Sequence, residues 1–582
     1  MKISLGSLTF PILATAGLAC ATTQATKDFN KNLGRGINMG NMLEGPTEGA
    51  WAPMLTANDM ALVASKGFQS VRVPIRWDGE GAGRARDFDR VLREAPYTID
   101  DRFLARIDSV VSWARQNKLL LVINDHHNDS LLQDYERNVP RFLAIWEQVA
   151  ARYKDLPVDS VAFEIMNEPH EQVTSDRWNW LADTALKIIR KTNPTRPVVI
   201  GTADWGGIGS MRALEVPDDS NLILTIHDYS PFNFTHQGAS FQNPPIPVGA
   251  KWGGYWDLRQ SIEDVQRIAE FAKEKDLPVW IGEFGALPYA DTASRLAWAA
   301  SKTRLYEQAG FSWAWWEFRS TFGVYYAGTK TWNTKLLDAL FSSDTSIIQL
   351  GAPPQGDAEL AFNGEFALGD TGWSLNLPKG KATFSVDSGS GLVVVDSATP
   401  GTAWGVQLIQ APIKLKKGYS YVLMFSARAD QEISIDASVG MNQDPWANYG
   451  SANGLKIGLE PRSFFTSAQV PEDDTTARIC FNVGNTNGRV RIDSVRLFEY
   501  APDPVSVNPA KRSAVGFRQI GASLRRMGPA MPTSRHLLDL RGARVASLDW
   551  KRQGDGWVAD LSQVPRNRLL FLDREASRVF VH

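Results

Sequence analysis

Cysteine is almost absent from this 582-residue chain: only Cys20 and Cys480 occur. If the leader that holds Cys20 is removed, no internal disulfide can form, so stability must come from packed cores. Neither sign of charge predominates, with 62 Lys+Arg against 64 Asp+Glu. That balance argues against nucleic acid as the main partner. Beyond the first 25 residues no run is long and apolar enough for a membrane span. There is no HExxH or His-x-His spacing, and the sequence offers only seven histidines. His126 and His127 are neighbours, and on a strand neighbours point to opposite faces, which disfavours a zinc site shared with His227. No catalytic metal and no cofactor is expected, while a Ca2+ site in the C-terminal half stays open.

The features present are equally directive. A chain of this length exceeds one core, so two to four domains are expected. The start carries Lys2, an apolar stretch over residues 3–19 and a small-x-small site at Ala19-Cys20-Ala21. Residues 1–25 therefore read as a secretory leader, and the protein as secreted or displayed on a bacterial cell surface. Cys20 as a lipid acceptor is the alternative; Gly17, where a bulky aliphatic residue is usual, counts against it. Tryptophan is abundant, with 20 residues. Most of these suit core packing, and the rest offer flat faces of the kind that sugars stack on.

Residues 26–341 alternate strand-like and helix-like segments. Strands are predicted at 34–41, 70–75, 119–125, 160–167, 197–201, 222–228, 278–283 and 311–316. Between them, apolar residues recur at three- and four-residue spacing, as in 101–117, 139–154, 176–192, 262–275 and 293–309. Eight strands with helical returns predict an α/β fold, the (β/α)8 TIM barrel. A doubly wound sheet is disfavoured because no Gly-rich phosphate turn follows the first strand.

Two of these runs, VAFEIMNEP and VWIGEFG, finish in Glu168 and Glu283. A carboxylate at the exit of an apolar strand is costly to bury without a purpose. Two of them at one end of a parallel sheet can act as acid and nucleophile on a glycosidic bond. Other strand exits supply Arg72, His126, His127, Asn167, His227, Tyr229, Trp316 and Glu317. One such residue alone is more often a structural support, but six of the predicted strands contribute at the same end.

The motifs RGINMGNMLE, VRVPIRW, INDHH, NEP, HDYSPFNFTHQGA, WIGEFG and AWWEF occur in that order. Through them residues 33–341 resemble a glycoside hydrolase family 5 domain of the endoglucanase and mannanase group. The resemblance implies Glu168 as general acid/base and Glu283 as nucleophile. It also implies that Arg72, His126, Asn167, His227, Tyr229 and Trp316 line the sugar subsite beside the cut, with His127 as the alternative match for His126. On physical grounds Arg72 and Tyr229 would favour the Glu283 anion, and the negative Glu283 would raise the pKa of Glu168. A separation of about 5–5.5 Å, hence retention, is expected.

Residues 342–359 gather Ser, Gly, Pro and Asp and read as a linker. Residues 360–500 switch to short alternating runs, which predict an all-β sandwich. FNGEFALGDTGWSL and RIDSVRLFE resemble jelly-roll carbohydrate-binding modules near families 4 and 9. Trp404, Trp446 and Tyr449 are the candidates for stacking on a glucan, with ordinary packing as the alternative. Residues 501–582 carry fourteen Lys+Arg against seven Asp+Glu. There, 501–533 reads as a flexible basic linker and 534–582 as a small β-rich module. The latter resembles C-terminal sorting modules of Bacteroidetes-like and Fibrobacter-like bacteria.

Three functions compete. The first is a secreted, retaining endo-β-1,4-glucanase, monomeric, acting on cellulose or a related β-glucan. The second keeps the mechanism but takes mannan, glucomannan or xyloglucan. Loops 128–135 and 235–256 would discriminate these two. The third is a non-catalytic glucan-binding protein.

Overall fold

The computed structural model describes residues 21–79, 90–351 and 358–501, residues 354 and 356, and strand segments between 517 and 581. The expected leader therefore lies almost entirely outside the described residues. Its expected end at residue 25 falls inside the helix Gln24–Leu33, which belongs to the barrel. Thr23 caps that helix and also bonds Asn221, so the segment is anchored where it starts.

Eight parallel strands close into a barrel in chain order: β1 (Arg35–Asn38), β2 (Ser70–Val73), β3 (Leu120–Asn124), β4 (Val161–Glu164), β5 (Val198–Ile200), β6 (Leu222–His227), β7 (Val279–Phe284) and β8 (Ser312–Trp315). Each is nearly all buried, because helices cover the outer face and side chains fill the inside. Phe29 and Leu33 of the first helix meet Val122, Ala162, Val199, Ile223, Trp280 and Ala314 in a compact apolar cluster. The helices begin at polar caps; Asp291, for example, accepts from the N–H groups of Ala293 and Ser294.

A short hairpin, β9 (Tyr325–Tyr326) and β10 (Thr331–Trp332), precedes the last barrel helix, Thr334–Phe341. The expected linker is not all free chain. A 3-10 turn at Thr345–Ile348 follows, and Ile348 is buried in the barrel core.

The second layer pair is a sandwich. One sheet orders β13 (Lys381–Asp387), β14 (Ser390–Ser397), β21 (Gly488–Tyr500), β16 (Ser420–Ala429) and β19 (Arg462–Gln469), with β11 (Ala358–Glu359) also on β21. The other orders β12 (Ser374–Asn376), β15 (Gln407–Leu415), β20 (Asp474–Asn482), β17 (Ile433–Gly440) and β18 (Asn448–Ile457). Alternate residues such as Leu408, Phe481, Ala437 and Leu423 point between the sheets and form one apolar core.

The sandwich is seated on the barrel. Trp256 packs against Phe465 and Tyr500, and the Asn233 side chain donates to the carbonyls of Tyr449 and Gln469. Arg267 donates to the carbonyl of Asn453, and the Lys251 N–H to the Gln469 side chain. Both sheets present one edge strand, β18 and β19, to this seam.

Residues 503–582 form a separate compact unit. One antiparallel sheet joins Phe517–Ile520, Ser523–Met527, Gly556–Asp560 and Trp550–Gln553. Another joins Arg544–Ser547, His536–Leu538, Arg568–Leu572 and Arg578–Val581. The expected boundary at 533 is thus displaced, because Phe517–Ile520 pairs with Ser523–Met527, which in turn pairs with Gly556–Asp560.

Candidate active site

All nine candidate side chains of the barrel leave from the C-terminal ends of strands or the turns just after them. The organising group is Arg72 on β2, fully buried. Its Nε and Nη2 bond both oxygens of Glu164 at 2.6 and 2.8 Å. Nη2 also donates to Asn167 Oδ1 at 2.7 Å, and Nη1 to Asn38 Oδ1 at 3.0 Å and to Glu283. A rigid guanidinium fork of this kind fixes the plane of each partner. Since Arg72 occupies the Asn167 carbonyl, the amide NH2 is left to donate to a sugar.

Glu283 sits where β6 and β7 slip register, opposite His227. Such a bulge re-aims a side chain, and Glu283 Oε2 receives the Tyr229 hydroxyl at 2.8 Å. Burial pushes the Glu283 carboxyl above its ordinary pKa, while His227, Arg72 and the Tyr229 hydroxyl pull it back toward the anion. Glu168 lies across from it. Its Oε1 contacts His227 Nδ1 at 2.7 Å, and the same nitrogen is 3.8 Å from Glu283 Oε2. Polar atoms of Glu168, His227 and Glu283 all lie within 4.8 Å of one another.

Burial pushes the Glu168 carboxyl up to about 7. From the sequence, that rise is expected from the charge of Glu283. The structure assigns it first to burial, with Glu164 the carboxylate that adds to it. Burial also lowers the pKa of His227, which favours a neutral imidazole.

Trp316 forms a wall with Ala239, Leu287 and Phe322, and its ring lies parallel to His126 at 5.9 Å. Gly40 permits this, since a Cβ there would stand 3.0 Å from the Trp316 ring and 2.7 Å from Glu317. The expectation that His126 and His127 point apart fails. Strand β3 stops at Asn124, and His127 takes φ +53°, so the two rings meet edge to face at 4.4 Å. Polar atoms of His126, His127 and Glu44 lie within 4.8 Å of one another. His126 is the one beside Trp316; His127 is the one against Trp51.

Several site residues escaped the sequence reading. Glu164 is in plain view inside VAFEIMNEP, where a mid-strand charge signals a buried partner. Glu44 is a further buried acid, its pKa raised by burial, and Glu317, expected at the eighth strand exit, is buried too and pushed up to about 7. Trp205 stands 55% exposed after β5, its ring stacked on His170 at 3.5 Å. His170 in turn contacts the Glu168 carbonyl at 2.5 Å.

The three sandwich candidates are not part of this cluster. Trp404 and Trp446 are exposed, each under a cation, Lys379 and Arg478 respectively. Tyr449 is half-buried. It packs against the sandwich core, bonds Asp474 through its hydroxyl and lies at the seam.

Comparison with known proteins follows the same division. Residues 31–321 match the model of cellulase, glycosyl hydrolase family 5, and residues 358–488 match a carbohydrate binding domain. Endoglucanase H of Acetivibrio thermocellus is 35% identical over 326 residues, 54% of this chain and 33% of that protein. Endoglucanase 3 of Fibrobacter succinogenes is 28% identical, covering 50% of each. The chain thus spans half or less of these curated relatives. Among solved structures, Thermotoga maritima Cel5A in complex with cellobiose is 43% identical with a TM-score of 0.52. That match covers 54% of this chain and 100% of the Cel5A chain.

Proposed function

The chain belongs to glycosyl hydrolase family 5, and from that premise we propose that it is a retaining endo-β-1,4-glucanase acting on cellulose or a related β-glucan. The observation that carries the reading is the approach of the Glu168 and Glu283 carboxylates, with polar atoms within 4.8 Å. Carboxyl groups about 5–5.5 Å apart suit double displacement, whereas inversion needs about 6.5–9.5 Å to admit a water.

In the first step a Glu283 oxygen attacks the anomeric carbon as the glycosidic C–O bond breaks. Glu168 gives its proton to the departing oxygen. Glu283, now an ester, carries no charge. In the second step Glu168 takes a proton from water, the hydroxide oxygen bonds the anomeric carbon, and the ester bond breaks to restore Glu283. Arg72 and Tyr229 hold the nucleophile at one orientation throughout. Asn167 is placed to bond the sugar 2-hydroxyl, a contact that strengthens toward the transition state.

The reading is supported by relatives named as endoglucanases. A second substrate reading, mannan or glucomannan, draws support from a solved structure of Cel5A with mannotriose, 43% identical to this chain. The proposal extends to a secreted or surface-exposed monomer; no helix among the described residues is long and apolar enough to cross a membrane. Hydrolysis of β-glucans and mannans, with the anomer of the first product recorded by NMR, tests substrate and mechanism together. The expected product is the β-anomer from glucan. An α-anomer would sink retention, and a clear preference for mannan would move the substrate.

A further inference from the structure

The sandwich presents a polar row on the face of its second sheet that points away from the core. Asn376, Gln407, Asn482 and Asp436 are consecutive across β12, β15, β20 and β17. Their chain neighbours Leu408, Phe481, Ile435 and Ala437 point into the core, so the row lies on the opposite face, where Asn376 is exposed, Asn482 and Asp436 are half-buried and Gln407 is buried beneath its neighbours. The amides form a ladder: Asn376 Nδ2 donates to Gln407 Oε1 at 3.0 Å, and Gln407 Nε2 to Asn482 Oδ1 at 2.9 Å. The buried Gln407 holds the amides on either side in one orientation, which leaves the Asn376 carbonyl and the Asn482 amide NH2 to meet sugar hydroxyls. Trp446, under Arg478, borders this face.

The row leads toward the barrel. The Asp436 carboxylate accepts from the Gly454 N–H on β18 at 2.8 Å. Gly454 lies against Gly209 of the barrel so closely that a Cβ there would stand 2.7 Å from the Gly209 carbonyl. Gly209 follows the turn Asp204-Trp205-Gly206, which lies beside the proton donor and its partner histidine: a Cβ at Gly206 would stand 3.3 Å from His227 and 3.5 Å from Glu168. The charge of Asp204 is felt by Asp436 across the seam. One short segment thus lies beside the proton donor at one end and, at the other, against Gly454, whose N–H donates to Asp436 of the row.

We propose that Trp205 and the row Asp436, Asn482, Gln407 and Asn376 form one track that holds the leaving-group side of a β-glucan chain. The sandwich then contributes sugar-binding positions to the catalytic cleft itself. This differs from a tethered anchor, which raises local substrate concentration without altering where the chain is cut. The leaving-group side is assigned because Trp205 flanks Glu168, the donor to the departing oxygen, whereas His126, His127 and Trp51 lie beyond Trp316. Three inter-strand steps of about 4.8 Å carry the row across about two to three sugar units. The inference rests on the hydrolase reading above.

The test uses the full chain with Asn376→Ala and Asn482→Ala combined. Cello-oligosaccharides labelled at the reducing end are compared with an aryl cellobioside, whose leaving group is too short to reach the sandwich. The ratio of kcat/KM for the long oligosaccharide to that for the aryl glycoside is expected to fall about tenfold, the loss of two neutral hydrogen bonds. The labelled products are expected to shift toward shorter lengths. Trp205→Ala is expected to shift them the same way. Where the double variant does not fold, Asn376→Ala alone, an exposed member of the row, gives the same readout. An unchanged ratio and an unchanged product pattern in a wild type that cleaves both substrates would overturn the shared track alone. A wild type that cleaves neither substrate would overturn the hydrolase reading and this one with it.

Discussion

The barrel mouth and the outer face of the sandwich are both polar, but they are built from opposite materials. The mouth concentrates charge: Arg72, Glu164, Glu283, Glu44 and Glu317 are all buried. The sandwich row is mostly neutral amides, Asn376, Gln407 and Asn482. Taking an ion out of water costs several kcal/mol even after relaxation, and pairing offsets it only with good geometry. A site that moves protons and forms an ester needs that arrangement, because its groups must change charge on demand. A surface that only holds sugar hydroxyls does not, and neutral amides avoid the cost.

That contrast is open to direct attack. The largest effect is expected from Glu283→Gln, which removes the attacking oxygen anion. Steady-state kinetics on a soluble β-glucan should show kcat reduced by at least about 10⁴-fold. If cleavage persists unchanged, the nucleophile is another residue.

Arg72→Met comes next. It leaves Glu164 buried without its two charge-assisted bonds, and breaking a buried pair from one side typically costs about 3–5 kcal/mol. Denaturant titration should show this loss alongside lost activity. A variant as stable as the wild type would mean that the mouth is less charged than drawn here.

Glu168→Gln should lower kcat on polymer by about 10²–10⁴-fold, the usual value of a positioned acid. Its loss should be smaller with a leaving group that departs without a proton. The pH dependence sharpens the point. Glu168 must start protonated, and burial pushes it up to about 7. Wild-type kcat/KM should therefore fall as pH rises through about 7. The acidic limb should track Glu283, which must be ionised, and lie above the ordinary carboxylate range. In Glu168→Gln the alkaline limb should vanish.

The smallest effect is expected at the seam. Asn233→Ala removes the bonds to the carbonyls of Tyr449 and Gln469. Neutral hydrogen bonds contribute about 1 kcal/mol each, so thermal unfolding should shift by only a few degrees. A much larger shift would show that barrel and sandwich unfold as one cooperative body.

Much of the barrel was legible because its strands are buried on both faces and flanked by amphipathic helices. That produces apolar runs with abrupt polar exits, and Glu168 and Glu283 stand at two of them. Reading failed where a residue left the regular pattern. His127 was judged by strand alternation, yet its backbone turns left-handed just past β3. Glu164 was passed over because it sits within an apolar run rather than at its exit. The stretch 517–527 reads as linker by composition, yet it forms a hairpin whose second strand finds a partner some thirty residues further on.

The sequence alone determined which strands exist, which end of each carries polar groups, and which two acids stand ready for chemistry. These are local properties, set by period, turn residues and the cost of burying charge. Tertiary structure decided who meets whom. Arg72 joins Glu164 across 92 positions and Glu283 across 211, and Asn233 meets Tyr449 across 216. Such pairings depend on how closed sheets stack and where their edges land, and no periodicity along the chain encodes that distance.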